Sequence, residues 1–251
     1  NPIFHLIKQI RTLDKYRSTF LEVECDEQGF VHPHFGCAKA ANGRLNSWDP
    51  NAQNVPVELR EIYIPDGPED VLLAADWSQV ERRVGFILSA DRVGLDMLAS
   101  GVDIHKYTAA QVLSKRIEDI DGDERQAAKF VVYGLDYGRG AKSIAEAYNL
   151  PITFVDKFIK AYSAKFSTFW NWRESLVKKV ERDCYLQNPF KRRRWWYTRQ
   201  ITEVYNFPSS STAAGMMYEV LPAIEAQLPK GATLRLTVHD DVLVNCHRDV
   251  V

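Results

Sequence analysis

No run of apolar residues in this 251-residue chain is long enough to span a bilayer, and no signal-peptide pattern opens it, so membrane and secretory readings fall away. Cysteine is sparse. Cys25, Cys37, Cys184 and Cys246 are widely spaced and form no CxxC pair, which argues against a zinc ribbon or a small disulfide scaffold and suits a reducing compartment. No repeat of solenoid length is present. An excess of either charge is missing too: 32 Lys and Arg against 33 Asp and Glu leave a net charge of −1, which excludes a highly basic nucleic-acid coat. Nucleic acid could then be a partner only through local clustering of charge. What remains, 45% apolar and 26% charged residues, is the composition of an ordinary globular protein with capacity for a buried core, in one large domain or two small ones. The chain opens on Asn1-Pro2 rather than Met and reads as a trimmed piece of something longer.

Ile3, Leu6, Ile7, Ile10, Leu13 and Tyr16 recur at helical spacing, with Lys8, Arg11 and Lys15 between them, which predicts an amphipathic helix over 3–20. From Gly29 to Pro56 the composition turns to Gly, Asn, Pro, Ser and His, the pattern of a loop. Val71 to Ala75 is a short apolar run ending at Asp76, the signature of a buried strand whose last residue emerges at an edge. Residues 81–183 read as mainly helical, with breaks near Gly101, Asp121-Gly122 and Leu150-Pro151 and a bend near Ser167. Lys191 to Trp196 is the one dense basic-aromatic cluster, and a helix rich in Ala and Met follows Pro208. Thr233 to Cys246 reads as strand, tight turn and strand around His239-Asp240-Asp241. Long helices between strand segments give an α+β architecture.

Two constellations carry chemistry. Asp76 at a strand end and Asp240-Asp241 at a hairpin tip are hard oxygen donors that suit Mg²⁺, and two such ions about 3.5–4 Å apart serve phosphoryl transfer. Taken singly, each aspartate reads as a cap or a polar turn. Arg125, Lys129, Tyr133 and Tyr137 stand four residues apart; four residues advance about 400° around a helix, so they form a slowly drifting stripe. A guanidinium and an ammonium suit a polyphosphate, and the two rings beyond them suit a sugar or base. The alternative is a basic turn followed by two core tyrosines. Asp123-Glu124 suits the helix N-terminus, and Gly134 and Gly138 keep one side low enough for close approach. The cysteines read as buried small hydrophobes, Trp170 and Trp172 as packing residues, and His5, His32, His34 and His247 as surface or structural residues.

On these residues the chain resembles the family A DNA polymerases. Asp76 to Arg82 is similar to their motif A, usually written DYSQIELR; Arg125, Lys129, Tyr133, Gly134, Tyr137 and Gly138 are similar to motif B; Val238-His239-Asp240-Asp241 resembles motif C, which usually ends HDE. Gly43-Arg44-Leu45, Pro50 to Asn54, Asp103-Ile104-His105, Asn206-Phe207-Pro208 and Ala213-Ala214 match further family segments. The departures are Trp77 for Tyr, Arg82 for Leu, Asp241 for Glu, Ser209 to Ser211 in place of Gln-Gly, and Tyr133 where many members have Phe.

The resemblance implies a polymerase palm, an antiparallel sheet with packed helices, carrying a mostly helical fingers insertion, with the thumb largely absent. Its parts would be 1–25 leading from the thumb, 26–100 and 186–251 as palm, and 101–185 as fingers. It implies template-directed transfer of dNMP from dNTP to a primer 3′-OH, in replication or repair, with two Mg²⁺ ions for which Mn²⁺ can substitute. Asp76 and Asp240 would be catalytic metal ligands, joined by the Trp77 carbonyl and Asp241, and Lys129 the catalytic proton donor to pyrophosphate. Gln79, Glu81, His105, Arg125, Lys129 and Tyr133 would contact the dNTP, with Glu81 as steric gate against a ribose 2′-OH and Tyr133 favouring dideoxynucleotides. Arg44, Gln53, Asn54, Tyr137, Asn206 and His239 would contact primer-template DNA, and the 191–196 cluster would contact phosphates. The expected setting is cytoplasmic, in a bacterial nucleoid or phage-infected cell, with an organelle also compatible; the short spacing from the basic cluster to Asn206 leans towards phage-type members. A processivity partner is not specified by the sequence. The competing reading is a catalytically impaired module that binds primer-template DNA; a two-metal nuclease ranks below it because it leaves the Arg-Lys-Tyr-Tyr stripe unexplained.

Overall fold

The computed structural model describes residues 2–37, 39–197 and 201–250. In chain order the elements are α1 (Pro2–Tyr16), β1 (His34–Gly36), β2 (Asn46–Trp48), β3 (Asp70–Asp76), α2 (Val80–Ser89), α3 (Arg92–Ala99), α4 (Ile104–Leu113), α5 (Gly122–Asp136), α6 (Ala141–Tyr148), α7 (Ile152–Lys165), α8 (Ser167–Asp183), β4 (Tyr185–Gln187), β5 (Arg193–Trp195), α9 (Ile201–Gln227), β6 (Ala232–Val238) and β7 (Asp241–His247). The fold is α+β, as the sequence indicates. It divides into two compact units, residues 1–78 with 214–251 and residues 79–213.

The first unit is built on an antiparallel sheet of order β3-β7-β6. Its register pairs Asp76 with Asp241 and Val238 with Asp241, so the ends of all three strands meet at the β6–β7 turn. The expectation of a buried strand at Val71 to Ala75 needs correction. Among the described residues β3 is an edge strand with β7 as its single neighbour, and from Leu73 onward it is exposed. An apolar run reports a preference for burial, not the number of neighbours a strand obtains. The loop assigned to 29–56 contains the short antiparallel pair β1 and β2. The amphipathic helix forms as α1, but its apolar residues are mostly exposed, Phe4 at 72% and Leu13 at 65%.

The second unit is helical around a core of Phe86, Phe158, Tyr162, Phe166 and Phe169 with Val131, Val132 and Ile144. The bend expected near Ser167 is a break at Phe166, whose buried ring anchors the joint between α7 and α8. Trp170 and Trp172 pack against this core, as expected. The helix placed after Pro208 in fact begins at Ile201, so the proline is internal. Ser209 to Thr212 are buried there, and hydroxyls turn back onto the backbone: Ser210 Oγ donates to Asn206 O at 2.9 Å and Thr212 Oγ1 to Pro208 O at 2.6 Å. Local satisfaction of that kind lets a polar tract sit inside. The cysteines also need correction: Cys246 is buried, whereas Cys25, Cys37 and Cys184 are exposed in loops and at a helix end.

The close approach at Gly134 is made by α6. A Cβ at Gly134 would lie 2.5 Å from Ile144 Cγ1, inside contact distance with a fully buried side chain. Gly138 serves another purpose, the positive φ of 67° just beyond the helix. Gly134→Ala is therefore expected to lower stability by about 1–3 kcal/mol, read as a lower denaturant midpoint at unchanged slope.

Candidate active site

The three acidic residues converge because the register brings them together. Asp76 ends β3, Asp241 opens β7 opposite it, and Asp240 occupies the two-residue turn between β6 and β7. The Trp77 N–H donates to Asp240 O at 3.4 Å. His239 adopts φ 61°, a left-handed conformation that a hairpin of this length requires and that a histidine adopts at some cost. The Asp76 carboxyl is held above the ordinary carboxylate range, first by partial loss of solvation at this otherwise exposed strand end, then by the negative charges of Asp240 and Asp241 and a hydrogen bond with Asp240. Asp241 Oδ1 is buried with no hydrogen-bond partner. Crowded anions and an orphaned acceptor are what a divalent cation would relieve, and the donor set is the hard oxygen that Mg²⁺ selects. The fit to such a metal is one of donor chemistry: among the described residues no group of three or more His, Cys, Asp or Glu side chains stands so that it could hold a metal ion.

Arg44, Gln53, Asn54 and His239 belong to the same unit. Gln53 is buried and donates its side-chain amide to Thr237 O at 2.9 Å, tying the 52–54 turn to β6. Asn54 donates to Asn51 Oδ1 at 3.0 Å. Burial lowers the pKa of His239, with the positive charge of Arg44 adding to the effect and Asp240 opposing it.

The cationic stripe forms on α5. The helix opens with a capping box between Asp121 and Glu124 and carries Asp123 and Glu124 in its first turn, which favours its N-terminus electrostatically. Arg125, Lys129 and Tyr133 lie on the helix; Tyr137 is its C-cap. Arg125 Nε donates to Asp103 Oδ2 at 2.6 Å, and Lys129 Nζ lies 5.4 Å from the Tyr133 ring centroid. Tyr133 and Tyr137 are about half exposed. Asp103 also caps α4 by accepting from His105 N and Lys106 N. Burial acts to raise the Asp103 pKa, but the hydrogen bonds from Arg125 and Lys106 outweigh it and hold the carboxyl low. Sequence reading quoted Asp103 only as part of a motif; an aspartate just before a helix is the signal for its capping role.

His105 is 7% exposed with its pKa pushed down to about 4, by burial and then by the charges of Arg82, Arg125 and Lys129. It is neutral at physiological pH. Its depressed folded-state value means the stability it contributes is complete above the unfolded value near 6.5 and is lost as pH falls towards 4. Stability should fall across that window by an amount on the order of 3 kcal/mol. The loss should be absent in His105→Gln, as comparison of denaturant titrations at pH 7 and pH 4.5 would show.

Gln79 is the left-handed residue before α2, at φ 55°, and Glu81 lies in the helix's first turn, half-buried. Asn206 lies on α9. The basic cluster at 191–196 lies in the turn after β4 and on β5. Arg193 Nε donates to Gln187 Oε1 at 2.6 Å, Arg194 is paired with Glu203, and Trp196 is buried. Trp195 and Tyr197 remain exposed. Sequence reading missed Asp136 and Arg173 and noted Arg82 only as a departure. All three meet in the second unit, where Arg82 is paired with Asp136 and Arg173 Nη2 donates to Leu135 O at 2.6 Å. A charged residue at an apolar helical position was the available signal.

The family model described as DNA polymerase family A matches residues 1–251. DNA polymerase I of Deinococcus radiodurans is 31% identical over 270 residues, covering 99% of this chain and 28% of that protein. The thermostable DNA polymerase I of Thermus filiformis is 32% identical, covering 99% and 32%. Among solved structures, the POL domain of Pol1 from M. smegmatis in complex with DNA primer-template and dNTP superposes with a TM-score of 0.78 at 26% identity, over 94% of this chain and 44% of that one. The chain spans roughly a third of the length of these two relatives. No helix among the described residues is long and apolar enough to cross a membrane.

Proposed function

Because the chain belongs to DNA polymerase family A, we propose that it carries the polymerising centre of a template-directed DNA polymerase, joining dNMP to a primer 3′-OH with release of pyrophosphate. One observation carries the reading: Asp76, Asp240 and Asp241 crowd one hairpin end, with Asp76 held towards its protonated form and an Asp241 oxygen buried without a partner. Asp76 and Asp240 would hold two Mg²⁺, with the Trp77 carbonyl and Asp241 as further ligands. Bound there, the ions would supply activation of the 3′-oxygen and stabilisation of the departing oxygen.

The chain's own groups do the rest. Arg125, Lys129, Gln79 and neutral His105 bind the triphosphate, and Lys129 donates a proton to the leaving pyrophosphate. Asp103 fixes the Arg125 guanidinium at 2.6 Å, so its orientation is set before substrate arrives. Glu81 excludes a ribose 2′-OH, and the half-exposed Tyr133 ring stacks on the nucleotide. Tyr137, Arg44, Gln53, Asn54, Asn206 and His239 contact primer-template, whose base pairing supplies specificity. Residues 26–100 and 186–251 act as palm, 101–185 as fingers, and 1–25 leads in from the thumb. A cytoplasmic setting accords with the bacterial relatives.

The rival reading is a polymerase-derived module that binds DNA without catalysing, for which Asp241 in place of the family's Glu is the motivating departure. Primer-template affinity measured with and without Mg²⁺ and the complementary dNTP separates the two. A polymerase should bind more tightly with both present and should extend the primer. Equal affinity and no product would favour the binding module.

A further inference from the structure

The hairpin of β4 and β5 has two unlike faces. Pairing sets Tyr185 opposite Trp195, Leu186 opposite Arg194 and Gln187 opposite Arg193, and side chains alternate between the faces along each strand. One face turns inward. Leu186 and, just past β5, Trp196 are buried with Leu176, Val204 and Phe207, and Arg194 is paired with Glu203. The other face carries Tyr185, Arg193 and Trp195, with Tyr197 two residues further on. Trp195 is 49% exposed and Tyr197 88%, and Phe190 in the connecting turn is exposed as well. Large rings gathered on one side of a short hairpin, rather than scattered singly, mark a contact surface.

That surface is held in shape before any partner arrives. The Tyr185 and Trp195 rings pair across the strands with centroids 4.8 Å apart, and the Arg193 guanidinium lies 5.0 Å from the Tyr185 ring. Buried Asn188 pins the turn, accepting from Arg192 N at 2.9 Å and donating to Ser211 O at 2.8 Å. The charge beside the rings has one sign: Lys191, Arg192, Arg193 and Arg194 are consecutive, and no Asp or Glu occurs from Cys184 to Tyr197. Cations interleaved with exposed rings suit a strand that offers a phosphate and an unpaired base at every step. A duplex offers the phosphates but keeps its base faces stacked inside.

We propose that the outer face of the β4–β5 hairpin binds single-stranded DNA, with Trp195 and Tyr197 stacking on unpaired bases and Lys191, Arg192 and Arg193 pairing with the phosphates. Membership of DNA polymerase family A makes DNA the nucleic acid concerned. The site uses neither the aspartate cluster nor the α5 stripe, so it stands or falls apart from the catalytic reading. It also asks more than a phosphate contact would, because the rings require bases that are free of a partner.

The test compares two fluorescent strands about a dozen nucleotides long, oligothymidylate and an abasic strand with the same phosphates, by anisotropy at one salt concentration. The intact chain should bind oligothymidylate about tenfold more tightly than the abasic strand. Trp195→Ala/Tyr197→Ala should bring the two affinities to within about twofold by weakening only the first, since both rings are exposed and the packed inner face is untouched. Lys191→Ala/Arg192→Ala should weaken both strands alike, by about tenfold. A strand carrying 5-bromouracil, photo-cross-linked and mapped by mass spectrometry, locates the contact and should mark residues within 185–197. Equal affinity of the intact chain for the two strands would overturn the stacking role. A thymidylate preference that survives in Trp195→Ala/Tyr197→Ala, or cross-links confined to residues outside the hairpin, would overturn the site, and binding of neither strand would leave the exposed rings to a protein partner instead.

Discussion

Asp76→Asn and Asp240→Asn should each lower primer extension by about a thousandfold or more, equivalent to about 4 kcal/mol of lost transition-state stabilisation. Asparagine keeps the size and one oxygen donor but removes the charge that balances a divalent cation. The two residues meet at the same end of the sheet, β3 delivering one and the β6–β7 turn the other, so neither can be replaced by a neighbour without changing the register. Primer-template binding should survive in both variants, slightly strengthened, because a carboxylate that repels DNA phosphates has been neutralised. Single-turnover extension alongside a binding titration separates these effects. Extension within tenfold of the parent in either variant would remove that residue from the metal assignment. Asp241→Asn should do less damage than either.

Asp136→Leu should destabilise the protein by about 3–5 kcal/mol, because it leaves the Arg82 guanidinium buried without its partner. The lower end of that range is the firmer expectation, since the Asp136 side chain is 23% exposed and water can replace part of what is lost. The double variant with Arg82→Leu should recover most of the loss, as apolar replacements of buried ion pairs commonly do. Denaturant midpoints for the two single variants and the double variant give the coupling directly. Additive losses would mean that the two side chains do not stabilise one another.

The site was more legible in the sequence than the packing around it. Asp76, Asp240 and the α5 stripe could be placed because turn chemistry and a four-residue spacing fix geometry locally. The hairpin at 232–247 likewise follows from two alternating runs about a short polar turn. What stayed hidden depends on neighbours distant in sequence. The edge position of β3 is decided by strand order, and the role of Gly134 by Ile144 ten residues away on another helix. The continuation of α9 through Pro208 depends on serines bonding back to their own helix, a choice that local propensity counts against. The pairing of Asp136 with Arg82 could not be anticipated either: a charge at an apolar helical position marks Arg82 as unusual, but its partner lies 54 residues away.

The most direct test of the polymerase reading is single-nucleotide incorporation on four primer-templates that differ only in the templating base, each offered the four dNTPs separately in Mg²⁺. The account predicts extension by the complementary nucleotide on every template and none in the presence of a chelator. Incorporation that ignores the templating base, or no incorporation on any template despite tight primer-template binding, would contradict it.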